Sequence, residues 1–406
     1  MRARLLRLAE REHLLLISLH QSICDGWSLG VLVEELTALY DAFSAGQQTP
    51  LAPLPIQYTD FARWQRQWRS YPEIGAQLAY WREQLHDPLP EIKLASARPR
   101  GTIDDLRTAR REVTLPPRLS EALKRFSQEE GGTLFMALIA AFKTLLHLYV
   151  AEEDVRVATL VANRNRPGSE HLIGPLVNTV ILRTNLGGDP SPREVMRRVR
   201  ATALAAFAHQ ELPFEELVET LEEERGVKPE TLSKMMIWLQ NAALRPIASS
   251  GHKLAFEEAI PSMLLPLVTI TKFDVILMLR ETGRGLMGCC VYKPHLFRAT
   301  IIDRLLRDFR KVLELMLTEP ERPISKIRLT VNANSKGIHH MCRIGDVFTA
   351  DELKTLSKTQ RNILEKYGKL IVLTNPAIRD IIKKDPKVRK KLKGLLDPAR
   401  KRLTRI

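Results

Sequence analysis

Cysteine is scarce: four in 406 residues, at positions 24, 289, 290 and 342, and none in C-x-x-C spacing. That excludes a disulfide framework and a zinc ribbon, and leaves a reducing cytoplasm as the default compartment. Long apolar runs are also missing. Lys143 and Pro266 break the longest ones before the roughly 18 residues that a membrane helix needs. Glu10, Arg11 and Glu12 interrupt the basic N-terminus ahead of Leu14–Leu19, so no signal peptide is evident. No fixed-period repeat and no low-complexity block occurs, which excludes a solenoid and a compositionally disordered chain.

What is present is an ordinary globular balance, with 44% hydrophobic and 27% charged residues, and a length that suits two or three domains. The charge is uneven. Residues 332–406 carry 19 Lys/Arg against 7 Asp/Glu, so they hold most of the net charge of +15 and leave a nearly neutral body.

Apolar patterning alternates helices and strands, an α/β order. Leu14–Leu19 reads as a buried strand. Leu29–Phe43 has helical spacing, with Ser28 as N-cap and Gly46 just past its end. After a Pro-rich loop come aromatic-rich helical segments through Phe61, Trp64, Trp68, Tyr80 and Trp81. Leu134–Val150 is apolar on nearly every face and reads as a core helix. Strands are expected at Val155–Ala162, Val177–Thr184, Val268–Leu279 and Gly285–Tyr292, the last two joined by a hairpin at residues 281–284. Thr300–Leu317 is an amphipathic helix stopped by Pro320 and Pro323. In the tail, residues 349–352 form a capping box that opens another helix.

The segment His20-Gln21-Ser22-Ile23-Cys24-Asp25-Gly26-Trp27-Ser28 is the most informative. A strand delivers His20 and Gln21 to a turn that Asp25 and Gly26 shape, ahead of a helix. Rigid elements on both sides of such a loop hold side chains for chemistry. Gly26 removes side-chain bulk where a ligand can approach the backbone. By spacing alone, a strand-end His and a turn Asp explain the segment better than a catalytic pair does.

The segment resembles the H-H-x-x-x-D-G motif of condensation domains of nonribosomal peptide synthetases, which have the chloramphenicol acetyltransferase-like fold. Further matches follow in the family's order: Tyr58-Thr-Asp-Phe-Ala-Arg-Trp64, Ile173-Gly-Pro-Leu-Val-Asn-Thr179 followed by Arg183, and His209-Gln-Glu-Leu-Pro-Phe-Glu215. Gly132-Thr-Leu-Phe-Met136, Lys272-Phe-Asp274 and Leu296-Phe297 add weaker support. The resemblance covers residues 1 to about 331. It implies a two-lobed fold with an incomplete N-terminal lobe: a remnant at 1–105 carrying the motif loop, a C-terminal lobe at 106–331, and an unrelated basic tail at 332–406. The family's late Arg-containing motif is not recognisable around Leu232–Gln240.

The resemblance also implies a reaction. One carrier protein brings an acyl or peptidyl thioester on its phosphopantetheine arm, another brings an aminoacyl amine, and an amide forms between them. Carrier proteins, donor and acceptor, and other synthetase modules are the implied partners. Phosphopantetheine arrives with the carriers, so no cofactor or metal is bound directly. Carried over, the motif assigns His20, Gln21, Asp25 and Gly26 to the catalytic loop and Trp27, Ser28 and Asn178 to the substrate tunnel. The second His of the motif is the one held to position or deprotonate the amine, and here it is Gln21. A carboxamide does not titrate near neutral pH and cannot be a general base, so this copy is expected to be impaired. Asp25 is implied to be structural, with an Arg partner in the preceding region of the family or, as a substitute, Arg183.

Other candidates have plainer readings. His209 reads as a loop-fixing residue, the Trp64/Trp68/Tyr80/Trp81 set as core, and Cys24 as a small buried residue. Asn178 is either a hydrogen-bonding tunnel residue or a strand-end polar residue. His339, His340 and Cys342 lack a fourth ligand for a metal. The tail reads first as a solvated extension and second as a phosphate-neutralising surface for nucleic acid or an anionic membrane. A non-catalytic interaction module is the main competing function.

Overall fold

Six strands form the central sheet of a computed structural model that describes residues 1–10, 12–68, 71–86, 89, 94, 108–240 and 273–329. The strands are β3 (Ala109–Leu115), β4 (Asp154–Val161), β5 (Asn178–Asn185), β6 (Met235–Gln240), β7 (Val275–Thr282) and β8 (Gly285–Tyr292), in the order β3-β8-β7-β6-β4-β5. β6 pairs parallel to both β4 and β7, and the other neighbours are antiparallel. The interior strands are nearly continuous apolar runs, as strands covered on both faces must be. In β7, Val275–Leu279 are all buried. The hairpin turns at Gly283 and Arg284, and Gly285 there has φ +100 with Leu115 O 2.3 Å from where a Cβ would lie. Only glycine fits that approach.

Helices α4 (Pro117–Glu129), α5 (Leu134–Val150), α6 (Pro192–Ala208) and α9 (Ala299–Thr318) pack with this sheet. α5 starts where Thr133 Oγ1 accepts from Met136 N and stops at the left-handed Ala151, so its bounds match the expected core helix. Lys143, which breaks its apolar run, is fully buried. Its ammonium donates to Val155 O (2.9 Å), Leu182 O (2.6 Å) and Thr184 Oγ1 (2.7 Å), stapling the helix to β4 and β5. Burial holds its pKa well below the usual lysine range.

The N-terminal part contributes β1 (Arg2–Ala9), β2 (Glu12–Ser18), α1 (Gly26–Ser44), α2 (Tyr58–Trp68) and α3 (Pro72–Gln84). The smaller helices α7 (Phe214–Arg225) and α8 (Pro229–Leu232) complete the unit Met1–Ile327. Two expectations fail here. β2 was expected to be buried, but it forms only a two-stranded ribbon with β1, and Leu15, Leu16 and Ile17 are exposed by 38–45%. Alternation explains this: Leu5 and Leu6 on one strand, and Leu15 and Leu16 on the other, turn to opposite faces of the ribbon, and all four are exposed. The N-cap of α1 is Asp25, whose carboxylate accepts from Ser28 N, rather than Ser28. The tail, the start of the strand expected from Val268, Lys272, and the His339–Cys342 group lie outside the described residues.

Leu5 and Leu8 are 66% and 59% exposed, and Phe43 on α1 is 60% exposed. Contiguous apolar surface beyond a few hundred Å² favours association. The chain is expected to self-associate in light scattering and to bind a hydrophobic dye. A monodisperse, cooperatively melting monomer without dye binding would contradict this.

Candidate active site

The motif residues lie in a tight turn between β2 and α1. β2 ends at Ser18, so His20 and Gln21 sit in the turn rather than on the strand, and strand alternation does not orient them. Ile23 N donates to His20 O at 3.0 Å and closes the turn. His20 and Gln21 are exposed, and His20 Nδ1 lies 2.7 Å from Ser22 Oγ. Cys24 is buried, as read from the sequence, and burial and then Asp25 raise its thiol pKa. Gly26 faces open space: a Cβ built there meets nothing within 4 Å.

Asp25 anchors the turn. Its Oδ1 accepts from Ser28 N (2.9 Å), Ser28 Oγ (2.8 Å) and Arg164 NH2 (3.0 Å). Its Oδ2 accepts from Arg164 NH1 (2.9 Å), Leu176 N (3.0 Å) and Val177 N (3.1 Å). The Arg164 and Asp25 side chains are 3% and 5% exposed, a buried two-pronged ion pair. The expected substitute partner, Arg183, is elsewhere: it pairs with Asp154 and donates to the Gln84 and His86 carbonyls. β5 carries Arg183 at the opposite end from Asn178, pairing it across the ladder with β4, whereas Arg164 follows β4 directly into the connection that passes over α1.

That connection, residues 162–177, is held from three sides, and the holding residues are those of the other motifs. Ser28 is fully buried, and its hydroxyl oxygen accepts from Gly174 N (3.0 Å) and lies 2.9 Å from Gly174 O. Trp27 Nε1 donates to Glu170 O at 2.8 Å, and the Arg164 guanidinium lies 5.6 Å from the Trp27 ring. From α2, the Tyr58 ring occupies the space where any Cβ on Gly174 would stand, 2.1 Å from Tyr58 Cδ2. Phe61 packs with Leu172 and Leu176, and Arg166 stacks on Trp64 at 4.4 Å while pairing with Glu211 at 2.8 Å.

Asn178 is buried, and both ends of its amide clamp the turn before α7. Nδ2 donates to Gln210 O (2.8 Å) and Leu212 O (2.7 Å), and Oδ1 accepts from Phe214 N (3.0 Å) and Thr179 N (2.8 Å). His209 stacks on Tyr80 at 4.0 Å, its Nδ1 meets Ala205 O at 2.8 Å, and its carbonyl accepts from Trp81 Nε1. It fixes the loop. Trp68 and Trp81 are core residues, at 3% and 2% exposure.

Burial alone would raise the pKa of Asp25, but the hydrogen bonds from Arg164 and Ser28 and the Arg164 charge outweigh it, holding the carboxyl below its usual range. The sign follows. The clamp stabilises the fold fully above the ordinary aspartate value of about 3.9 and loses that contribution as pH falls through the lower folded value. Denaturant titrations at falling pH should show a steeper acid loss in the parent than in Asp25→Asn. Equal slopes would refute the assignment.

Comparison with known proteins agrees with this geometry. The family described as "Condensation domain" matches residues 1–338. One protein of the linear gramicidin synthase of Brevibacillus parabrevis is 40% identical over 338 residues, 83% of this chain and 4% of that protein. Another protein of the same synthase is 41% identical over 329 residues, 81% of this chain and 6% of that protein. The chain thus spans about a twentieth of the relatives it matches. Among solved structures, the X-domain from teicoplanin biosynthesis superposes with a TM-score of 0.66 at 25% identity, covering 81% of this chain and 74% of that one. The first condensation domain of the CDA synthetase superposes at 0.63 and 21% identity, covering 81% and 70%, a likeness of fold. The mixed sheet with its flanking helices is therefore the chloramphenicol acetyltransferase-like fold. With the family match running through the His20–Ser28 turn and every segment that braces it, the chain belongs to the condensation domains of nonribosomal peptide synthetases.

Proposed function

We propose that the chain forms amides between a carrier-bound acyl or peptidyl thioester and a carrier-bound aminoacyl amine, and does so slowly. The observation that supports this most is the Asp25–Arg164 clamp, which fixes the turn bearing Gln21 and leaves Gly26 open. In this reading the two phosphopantetheine arms meet at the turn. Gly26 lets one pass close to the backbone, and Trp27 flanks its path. Ser28 and Asn178 act from behind by bracing the walls. Gln21 stands where the family places its second His and can orient the amine by hydrogen bonds without removing its proton. Proximity supplies the remaining rate.

The test is amide formation with chemically loaded donor and acceptor carriers, read as acceptor mass. Slow product formation is expected, and it should fall by about 10-fold or more in Gly26→Val, where new bulk enters the open space with the fold retained. A rate unaffected by Gly26→Val would contradict the arm path. A second reading has its own support: the complex of the teicoplanin X-domain with OxyB shows a structural relative in complex with another protein. A chain that binds a partner enzyme and forms no amide at any carrier concentration would favour that reading.

A further inference from the structure

We propose that His20 and Ser22 form a base–nucleophile pair that takes the acyl group of a thioester onto Ser22 Oγ and passes it to water. This is a thioesterase activity distinct from amide formation. It rests on the reading above only in that the same turn receives an acyl thioester.

The geometry is that of an activated hydroxyl. His20 Nδ1 is 2.7 Å from Ser22 Oγ, within the reach a general base needs. Ser22 N donates to the same Nδ1 at 3.2 Å. A ring nitrogen that accepts an amide N–H carries no proton, so the imidazole holds its proton on Nε2 and Oγ–H donates to Nδ1. That is the direction of transfer nucleophilic attack requires. The Ile23 N to His20 O bond and the Cys24 Sγ contact to the same carbonyl, at 3.6 Å, hold the backbone of the pair. Both His20 and Ser22 are exposed, so a thioester on a long arm can reach them. The other nucleophile in the turn, Cys24, is buried. Gln21 cannot take a proton, and the buried Asp25 carboxylate is engaged by Arg164, Ser28, Leu176 and Val177, which leaves His20 as the exposed base of this turn.

The steps balance without any redox partner. Ser22 Oγ adds to the thioester carbonyl as Nδ1 takes its proton. The tetrahedral intermediate collapses, the C–S bond breaks, and the sulfur receives the proton from Nδ1 and leaves as a thiol. Water then adds to the Ser22 ester with Nδ1 taking its proton, the C–Oγ bond breaks, Oγ regains the proton, and a carboxylic acid departs.

The full chain is incubated with a short-chain acyl thioester of N-acetylcysteamine. Thioester loss is followed by chromatography, and acid-quenched protein is weighed and peptide-mapped. Thioester loss faster than in buffer is expected, with one acyl group on Ser22. Ser22→Ala and His20→Gln should each slow it by about 10² or more while far-UV circular dichroism stays unchanged. A fluorophosphonate probe should label Ser22 in the parent and not in His20→Gln. Equal rates in parent and Ser22→Ala, an acyl group on Cys24, or loss no faster than buffer would each overturn the proposal. Amide formation with loaded carriers, run in parallel, separates the two readings. Ser22 acylation without amide would fail the proposed function alone. Amide formation that persists while Ser22 never acylates would fail this inference alone.

Discussion

Arg164→Ala is expected to destabilise the chain by about 3–5 kcal/mol, the range for removing one partner of a buried ion pair. Against a typical total of about 5–15 kcal/mol, that is a third or more of the stability of an ordinary domain. The size comes from what is left behind. Asp25 keeps its bonds from Ser28, Leu176 and Val177, but its charge stays buried without a cation. Ala162 O also loses a donor at 3.2 Å and Ser28 Oγ one at 3.1 Å. Arg164→Lys should recover only part, since a point charge cannot fill both carboxylate oxygens and the neighbouring acceptors at once. Asp25→Asn keeps the shape and strands the guanidinium instead, whose Nε already has no hydrogen-bond partner among the described residues. A double-mutant cycle on denaturation midpoints should therefore show strong coupling, with the double variant less destabilised than the sum of the singles. Additive losses would mean the two side chains do not act as a pair.

Gln21→His is expected to raise amide formation by about 10² or more, the usual contribution of a positioned general base. Gln21 is exposed at the turn, so the substitution replaces one side chain of similar size by another without disturbing packing. Its backbone is already set, because the turn is closed at Ile23 and anchored at Asp25. The gain should therefore appear in the turnover rate, with little change in the carrier concentration needed for half-maximal rate. Single-turnover assays with loaded carriers would show it. A changed half-saturation with no change in maximal rate would assign position 21 to binding.

How much of this was legible depended on what each residue needed from its neighbours. α5 and β8 read correctly to the residue, because a fully apolar run with a Thr cap, or a hairpin turn with a glycine, carries its own boundaries. β3, β6 and helices α4, α6 and α7 had no counterpart in the sequence pattern. β6 is a six-residue strand beside the family's unrecognised late motif, too short for periodicity to separate from a helix segment. The burial of β2 failed because a strand's pattern states its faces and not what lies against them. Asp25 rather than Ser28 caps α1 because both residues can cap, and tertiary contacts with Gly174 turn Ser28 inward. Arg164 was missed because nothing local separates it from Arg166 or Arg183. Its role is set by the path of the β4–β5 connection over α1. Asn178 stood between two readings, and its four hydrogen bonds place it as a brace.

In the proposed function, a clamped turn presents position 21 to the reacting amine, and a carboxamide there limits the chemistry. The most direct test is the pH dependence of single-turnover amide formation in the parent and in Gln21→His. The rate should rise through the ordinary histidine range, about pH 6.5, in the variant only. The parent should show no such inflection and should run about 10²-fold slower on the plateau. Superimposable profiles of equal height would contradict it.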